Sequence, residues 1–286
     1  MRRLVIFSHY DIDNIIDDYV IHYLTSLQAA SCDIIFVSTS QLSERELAKV
    51  SPICSKTLYR ENLGYDFMSY KVGILETGID ILSYDEILIC NDSVYGPFCD
   101  LSHIFETMAS RKCDFWGMTS TLENSPHIQS YFILFKRNII QSKAFHDFFA
   151  NVTILNDKKD IIEFYEIGLT KWFVSNGFVY DSYCKQVPFL SRCIAFLQSF
   201  KTPRQLSPNS IKNKFRKIVL HDMFNPTLFY WKELIEHGGP FLKIELLRKN
   251  PLKLKNTSSI LRYIQKTTNY HVHLIENHLH RTMCKY

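Results

Sequence analysis

Glu86-Ile-Leu-Ile-Cys-Asn-Asp-Ser93 decides the fold. Four apolar residues, Ile87–Cys90, run without a break and stop abruptly at three small polar ones. A short continuous apolar run reads as a strand buried on both faces, the habit of parallel sheets covered by helices. Working outward, Leu4–Ser8 (Leu-Val-Ile-Phe-Ser) and Asp33–Ser38 (Asp-Ile-Ile-Phe-Val-Ser) read the same way. Between them, Ile16, Tyr19, Val20, Tyr23, Leu24 and Leu27 recur at helical spacing over Ile15–Leu27, behind turn and N-cap chemistry at Asp11–Asp13 and Asn14. Residues 1–38 are therefore expected to form a strand–helix–strand unit.

The alternation continues. Ser43–Val50 reads as a short helix with a Ser43/Glu46 capping box, and Thr57–Tyr59 as a brief strand. Asp66–Gly78 reads as a helix capped by Asp66, and Leu101–Arg111, Lys143–Phe149 and Ile161–Asn176 as further helices. Cys113–Met118, Gln129–Phe135 and Gly177–Tyr180 read as strands. Such alternation over about 180 residues predicts a doubly wound α/β domain. Past residue 200 the pattern changes. Lys201–Ser210 reads as a linker and Lys217–His221 as a last strand; Asn225-Pro226 caps a helix over Thr227–His237, stopped by Gly238-Gly239-Pro240. Lys243–Arg248 and Ser258–His280 read as helical. The expected division is an α/β catalytic domain over 1–200 and a mostly helical, basic extension over 201–286.

A chain of 286 residues, 46% hydrophobic and 22% charged, can bury a real core, which excludes a disordered protein. Its charge is uneven. Residues 1–199 carry 17 Lys and Arg against 24 Asp and Glu; residues 200–286 carry 16 against 5. A basic tail behind an acidic body predicts an anionic partner, such as a membrane surface, or a tail docked on that body. The basic–aromatic interleaving of a nucleic-acid module is missing, so nucleic acid is not an expected partner. None of the eight cysteines forms a C-x-x-C pair, the pattern of reduced thiols in a cytosolic protein. The N-terminus runs straight into a strand, and no apolar stretch approaches the roughly 20 residues that span a bilayer. The expected location is cytoplasmic, with membrane contact peripheral at most.

In open α/β sheets, ligands bind where strands end. Ser8-His9-Tyr10-Asp11 and Asn91-Asp92-Ser93 are such ends. The second delivers hard oxygens suited to Mg²⁺ or Mn²⁺ bridged to a pyrophosphate, or to ribose hydroxyls, although Asn, Asp and Ser also make ordinary turns. Glu61-Asn62-Leu63-Gly64-Tyr65-Asp66-Phe67 joins a glycine, a carboxylate and two rings, a plausible nucleoside contact or an N-capped helix. Glu163 and Glu166 share a helix face, where a carboxylate can act as general base or simply face solvent. His127 and Gln129 sit where a sugar could be touched, and His221 could ligate a metal.

Several motifs resemble the rhamnan synthesis F proteins: Arg60-Glu-Asn-Leu-Gly-Tyr-Asp-Phe67 with Ser69-Tyr-Lys71-Val-Gly73, Cys90-Asn-Asp-Ser-Val-Tyr-Gly-Pro-Phe98, His127-Ile-Gln-Ser-Tyr-Phe132 and Tyr165-Glu-Ile-Gly-Leu-Thr170. Asn225-Pro-Thr227, Tyr230-Trp231 and Pro240-Phe-Leu-Lys243 through Pro251 extend the likeness to roughly residues 1–251. The resemblance implies a glycosyltransferase of bacterial surface polysaccharide, with a Rossmann-like domain of the glycosyltransferase A type. It implies a dTDP- or UDP-sugar donor, often dTDP-L-rhamnose, and a glycan or lipid-linked glycan acceptor. His9, Tyr10, Asn62, Tyr65, Asp66 and Lys71, with Asn91, Asp92 and Ser93, are then the expected donor contacts. His127, Gln129 and Tyr165 would face sugar or acceptor, and Glu166 would be the base of an inverting displacement. In the glycosyltransferase A fold a D-x-D motif ends a central strand, and the corresponding place here reads Asn91-Asp92-Ser93, with an acid only at the middle position. Either Asp92 with His221 holds a divalent cation, or Lys and Arg side chains neutralise the pyrophosphate. That departure also admits an alternative, a non-catalytic nucleotide-sugar-binding or scaffold subunit of an assembly complex.

Overall fold

A computed structural model of the chain describes residues 1–185, 193, 212, 215, 225–254 and 256–283. The linker expected at Lys201–Ser210 and the strand expected at Lys217–His221 lie outside them.

The core strands are β1 (Arg3–His9), β2 (Cys32–Ser38), β3 (Lys56–Tyr59), β4 (Glu86–Asn91), β6 (Phe115–Gly117), β9 (Phe132–Lys136) and β10 (Tyr180–Ser182), and the short strands are β5 (Val94–Tyr95), β7 (Ser120–Thr121), β8 (His127–Ile128) and β11 (Leu242–Lys243). Seven of them form one sheet in the order β10-β6-β9-β4-β1-β2-β3. β1 pairs in parallel with β2 and β4, and β9 runs antiparallel to both its neighbours. The apolar runs are continuous because both faces are covered. Val5, Phe7, Phe36, Leu88 and Cys90 join one core with Tyr19, Tyr23 and Leu27 of helix α1 (Asp18–Ala29). Leu4, Ile6, Val37, Ile87 and Ile89 join the other, which holds Phe67, Tyr70 and Ile74 of a later helix. At the N-terminal end of the β1–β4 pair, Arg3 and Glu86 are register partners, and Arg3 Nε donates to Glu86 at 2.8 Å. The Arg3 guanidinium also lies 3.6 Å from the Phe105 ring centroid.

Several local expectations shift. Glu46 makes half of a capping box: its N–H donates to Ser43 Oγ at 3.3 Å, while its carboxylate turns to the Ile16 N–H at 2.7 Å. The helix bearing Phe67 spans Tyr65–Leu75 and its N-cap is Gly64, in the left-handed region at φ 73°, so Asp66 lies in the first turn and is not the cap. The strand expected at Gly177–Tyr180 starts at Tyr180, because Gly177, at φ 87°, and the Phe178 N–H, bonded to Phe173 O, still belong to the preceding helix end. That helix runs Lys158–Ile161, then a π-helical turn at Ile162–Ile167, then Gly168–Ser175.

The C-terminal segments pack on the α/β body. The helix expected over Thr227–His237 is two, Pro226–Phe229 and Trp231–Glu236, broken at Tyr230. The stretch over Ser258–His280 is also two helices, Ser258–Thr267 and His273–Met283. Lys243, read as the start of a helix, lies instead in β11, which pairs antiparallel with β5. Gly96 permits that approach: its φ is +126°, and a Cβ there would lie 2.3 Å from Pro240 O. Arg281 of the last helix pairs with Asp11, Asp13 and Asp17, and His278 Nδ1 meets the Tyr95 hydroxyl at 2.7 Å. Part of the basic tail is thus docked on the acidic body. Cys32, Cys54, Cys90 and Cys113 are buried free thiols. Among the described residues no helix is long and apolar enough to cross a membrane.

Candidate active site at the carboxyl edge of the sheet

Side chains alternate faces along a strand, and this alternation builds the site. Ser8 and Asn91 are register partners on the face covered by the Tyr65–Leu75 helix. Asp66, in its first turn, bonds both: Ser8 Oγ donates to Oδ1 at 2.9 Å and Asn91 Nδ2 to Oδ2 at 2.8 Å. One residue past the strand, Asp92 accepts the Tyr10 N–H at 2.9 Å, and its carbonyl accepts the Tyr19 hydroxyl at 3.0 Å. Asn91 Oδ1 accepts the Ser93 N–H at 3.2 Å. Burial pushes the carboxyls of both Asp66 and Asp92 above the usual range, and the charge of Asp66 raises Asp92 further. Two acids held close in a poorly solvated place leave a demand for positive charge.

Lys243 answers it from the other end of the chain. The β5–β11 pairing places it opposite Val94, and its Nζ donates to Ser93 Oγ at 2.9 Å. The ammonium lies 5.0 Å from the Tyr131 ring centroid. Burial lowers its pKa, opposed by the charges of Glu166 and then Asp66, so both carboxylates share its field. Glu166 sits in the π-helical turn, a feature frequent at functional sites. Its Oε1 accepts the Ser130 N–H at 3.2 Å, just before β9. Glu123, between β7 and β8, is close enough for the Glu166 charge to raise its pKa, after desolvation.

Asp66, Asn91, Asp92 and Ser93 therefore come together, with Tyr10 joined through its backbone and Glu166 facing the same lysine. Other expected contacts go elsewhere. His9, next to Ser8, points to the opposite face, where its Nδ1 meets Ser38 Oγ at 2.9 Å and burial lowers its pKa to about 4. Lys71 donates to the carbonyls of Ala150 and Val152 at 2.9 and 2.8 Å, closing a helix end. The Tyr165 hydroxyl donates to Thr153 O and accepts the Thr153 N–H, both at 2.8 Å, and its ring lies against Phe67. His127 is buried, with Nδ1 2.7 Å from Ser125 O. Gln129 Oε1 accepts the Thr119 hydroxyl at 2.7 Å, and its Nε2 donates to Asn225 Oδ1 at 3.1 Å. Asn62 and the side chains of Tyr10 and Tyr65 are exposed. His221 lies outside the described residues.

Sequence reasoning assigned no role to Lys243, Glu123 or Arg281. The one signal for Lys243 was its place in the Pro240–Lys243 motif. As for a divalent ion, no group of three His, Cys, Asp or Glu converges among the described residues, and both oxygens of Asp66 already accept hydrogen bonds. These residues do not make a closed metal site.

Residues 34–206 match the family model of rhamnan synthesis protein F. Virulence protein VirA of Vibrio anguillarum is 30% identical over 220 residues, 73% of this chain and 67% of that protein. Uncharacterized protein y4gN of Sinorhizobium fredii is 30% identical over 159 residues, 54% of this chain and 42% of that one. Among solved structures, core-mannan synthase A from Aspergillus fumigatus, in an Mn/GDP form, superposes with a TM-score of 0.37 at 10% identity, covering 77% of this chain and 85% of that one. S. aureus TarS 1–349 superposes with a TM-score of 0.35 at 12% identity, covering 96% and 83%.

Proposed function

The chain belongs to the rhamnan synthesis protein F family, and from that premise we propose that it is a glycosyltransferase of polysaccharide synthesis, moving a sugar from a nucleotide-sugar to a glycan. The observation that carries this reading is the Asp66–Asn91–Asp92 cluster, built from two strand ends and a helix start, with Lys243 and Glu166 beside it. Strand ends are where such sheets bind ligands, and buried acids are worth their cost when a ligand uses them.

In this proposal the donor is a dTDP- or UDP-sugar, L-rhamnose or another hexose or deoxyhexose, lying along Asn91–Ser93. Glu166 takes the proton of an acceptor hydroxyl, the hydroxyl oxygen bonds to the anomeric carbon, and the bond to the nucleoside diphosphate breaks with inversion. The Ser130 N–H orients the carboxylate for that proton. Glu166→Gln should lower transfer by about 10²- to 10⁴-fold with nucleotide binding kept. Radiolabelled sugar transfer and calorimetric titration read the two separately, and wild-type turnover in Glu166→Gln would remove the base.

The surplus positive charge of residues 200–286 supports docking at an anionic inner leaflet, where a lipid-linked acceptor would lie. Co-sedimentation should be stronger with liposomes containing acidic lipid. Equal binding to neutral liposomes would rule out the electrostatic account.

A further inference from the structure

We infer that Lys243 is the group that neutralises the departing nucleoside diphosphate, so that sugar transfer on this chain proceeds without a divalent ion. The inference rests on the glycosyltransferase reading and assigns a residue to its leaving-group side.

An ammonium carries three N–H donors. Among the described residues, Lys243 spends one, on the neutral Ser93 hydroxyl, and no carboxylate lies within ion-pair distance of it. The remaining donors lie beside Asn91–Ser93, the strand end expected to hold the diphosphate. Holding a partly buried ammonium with a neutral hydroxyl and the face of the Tyr131 ring, and no carboxylate among the described residues, is costly for a fold. The cost makes sense where an incoming anion completes the pairing.

The placement is rigid as well as suitable. Lys243 is fixed by the β-pairing of Leu242 and Lys243 with Tyr95 and Val94, and the next N–H, of Ile244, donates to Ser93 O at 3.1 Å. Gly96 and Pro240 lock the same junction. The charges of Glu166 and Asp66 both favour its protonated form, against the desolvation that opposes it. A preorganised charge at the point where negative charge develops is the form in which electrostatic catalysis is strongest.

The step balances without a co-reactant. The acceptor O–H proton goes to Glu166, the acceptor oxygen forms the bond to the anomeric carbon, and the electron pair of the breaking carbon–oxygen bond goes to the terminal phosphate. Lys243 hydrogen-bonds that oxygen and stays protonated. The Asn91-Asp92-Ser93 sequence, with one acid where a D-x-D has two, agrees with a lysine taking over charge neutralisation.

The test uses the full chain with dTDP, UDP and dTDP-L-rhamnose, each in EDTA and in Mn²⁺. Wild type should bind one of the diphosphates and transfer sugar in EDTA. Lys243→Met should bind that diphosphate at least ten-fold more weakly and lose about 10²- to 10³-fold in kcat, with Lys243→Arg recovering part of both. An unchanged melting temperature separates these losses from misfolding. Because Gly96→Ala is expected to displace β11 without altering the lysine, it should reproduce the binding defect. Wild-type activity that vanishes in EDTA and returns with Mn²⁺ would overturn the inference while leaving the glycosyltransferase reading intact, as would Lys243→Met that binds and transfers like wild type. A wild-type chain that binds no nucleotide and transfers no sugar would overturn both.

Discussion

The β1–β4 strand pair has two ends, and they treat charge in opposite ways. At the N-terminal end, Arg3 and Glu86 are buried together and bonded directly, with the guanidinium also on the Phe105 ring. At the C-terminal end, among the described residues, Asp66 and Asp92 are poorly solvated and accept from neutral donors only, and Lys243 stands by without a carboxylate in contact. The first end is closed and serves the fold. The second is open in charge, and an unmatched set of groups persists where a ligand completes it. The Asp11–Asp13–Asp17 cluster belongs with the first kind, because Arg281 pairs with all three.

The largest expected effect on stability tests the closed end. Arg3→Met leaves Glu86 buried and alone and should cost about 3–5 kcal/mol in urea unfolding, with transfer per folded molecule unchanged. The double change Arg3→Met, Glu86→Leu should recover most of it, since an apolar pair carries no desolvation cost. A loss under about 1 kcal/mol in the single variant would break the comparison.

Next comes His9, which lies at the open end but on the face opposite Ser8 and Asn91. Its folded pKa is about 4 against an ordinary 6.5, so between those values the unfolded chain binds the extra proton. Stability from the neutral ring is full above pH 6.5 and lost as pH falls toward 4. The advantage of wild type over His9→Gln should shrink by up to about 3 kcal/mol across that window. An advantage that is constant with pH would mean the ring is not held neutral.

Arg281→Ala should cost about 2 kcal/mol, less than the Arg3 change because its guanidinium is partly solvated, and the loss should shrink in high salt. The smallest effect has the opposite sign. Asp92→Asn removes a charge whose burial opposes folding while keeping an acceptor for the Tyr10 N–H. It should raise the melting temperature by about 2–4 °C and abolish nucleotide binding, the trade expected of a functional acid. A lowered melting temperature would place Asp92 with the structural acids.

Much of the fold was legible because its signals are local. Continuous apolar runs mark β1, β2 and β4, and helical spacing marks α1. Asp66 and Asp92 were legible as residues near strand ends, but the role first read for Asp66, a helix cap, passed to Gly64. His9 was read with Ser8 because both follow the same strand, yet alternation sends them to different faces. Lys71 and Tyr165 lie in the same motifs as Asp66 and Glu166, but their polar atoms bond backbone around residues 150–153. Motif membership does not separate a residue of the strand-end cluster from one whose polar atoms bond backbone elsewhere.

The sequence by itself determined the α/β class, the succession of elements and the strand end at Asn91-Asp92-Ser93, because periodicity and turn chemistry act between near neighbours. The tertiary structure alone decided which charges meet. Lys243 reaches Ser93 across 150 residues through a two-residue strand pair with no strong pattern of its own, and Arg281 reaches Asp11 across 270. Contacts at such separation come from packing the whole core, so the difference between a saturated acid and an open one emerges only when the chain is folded.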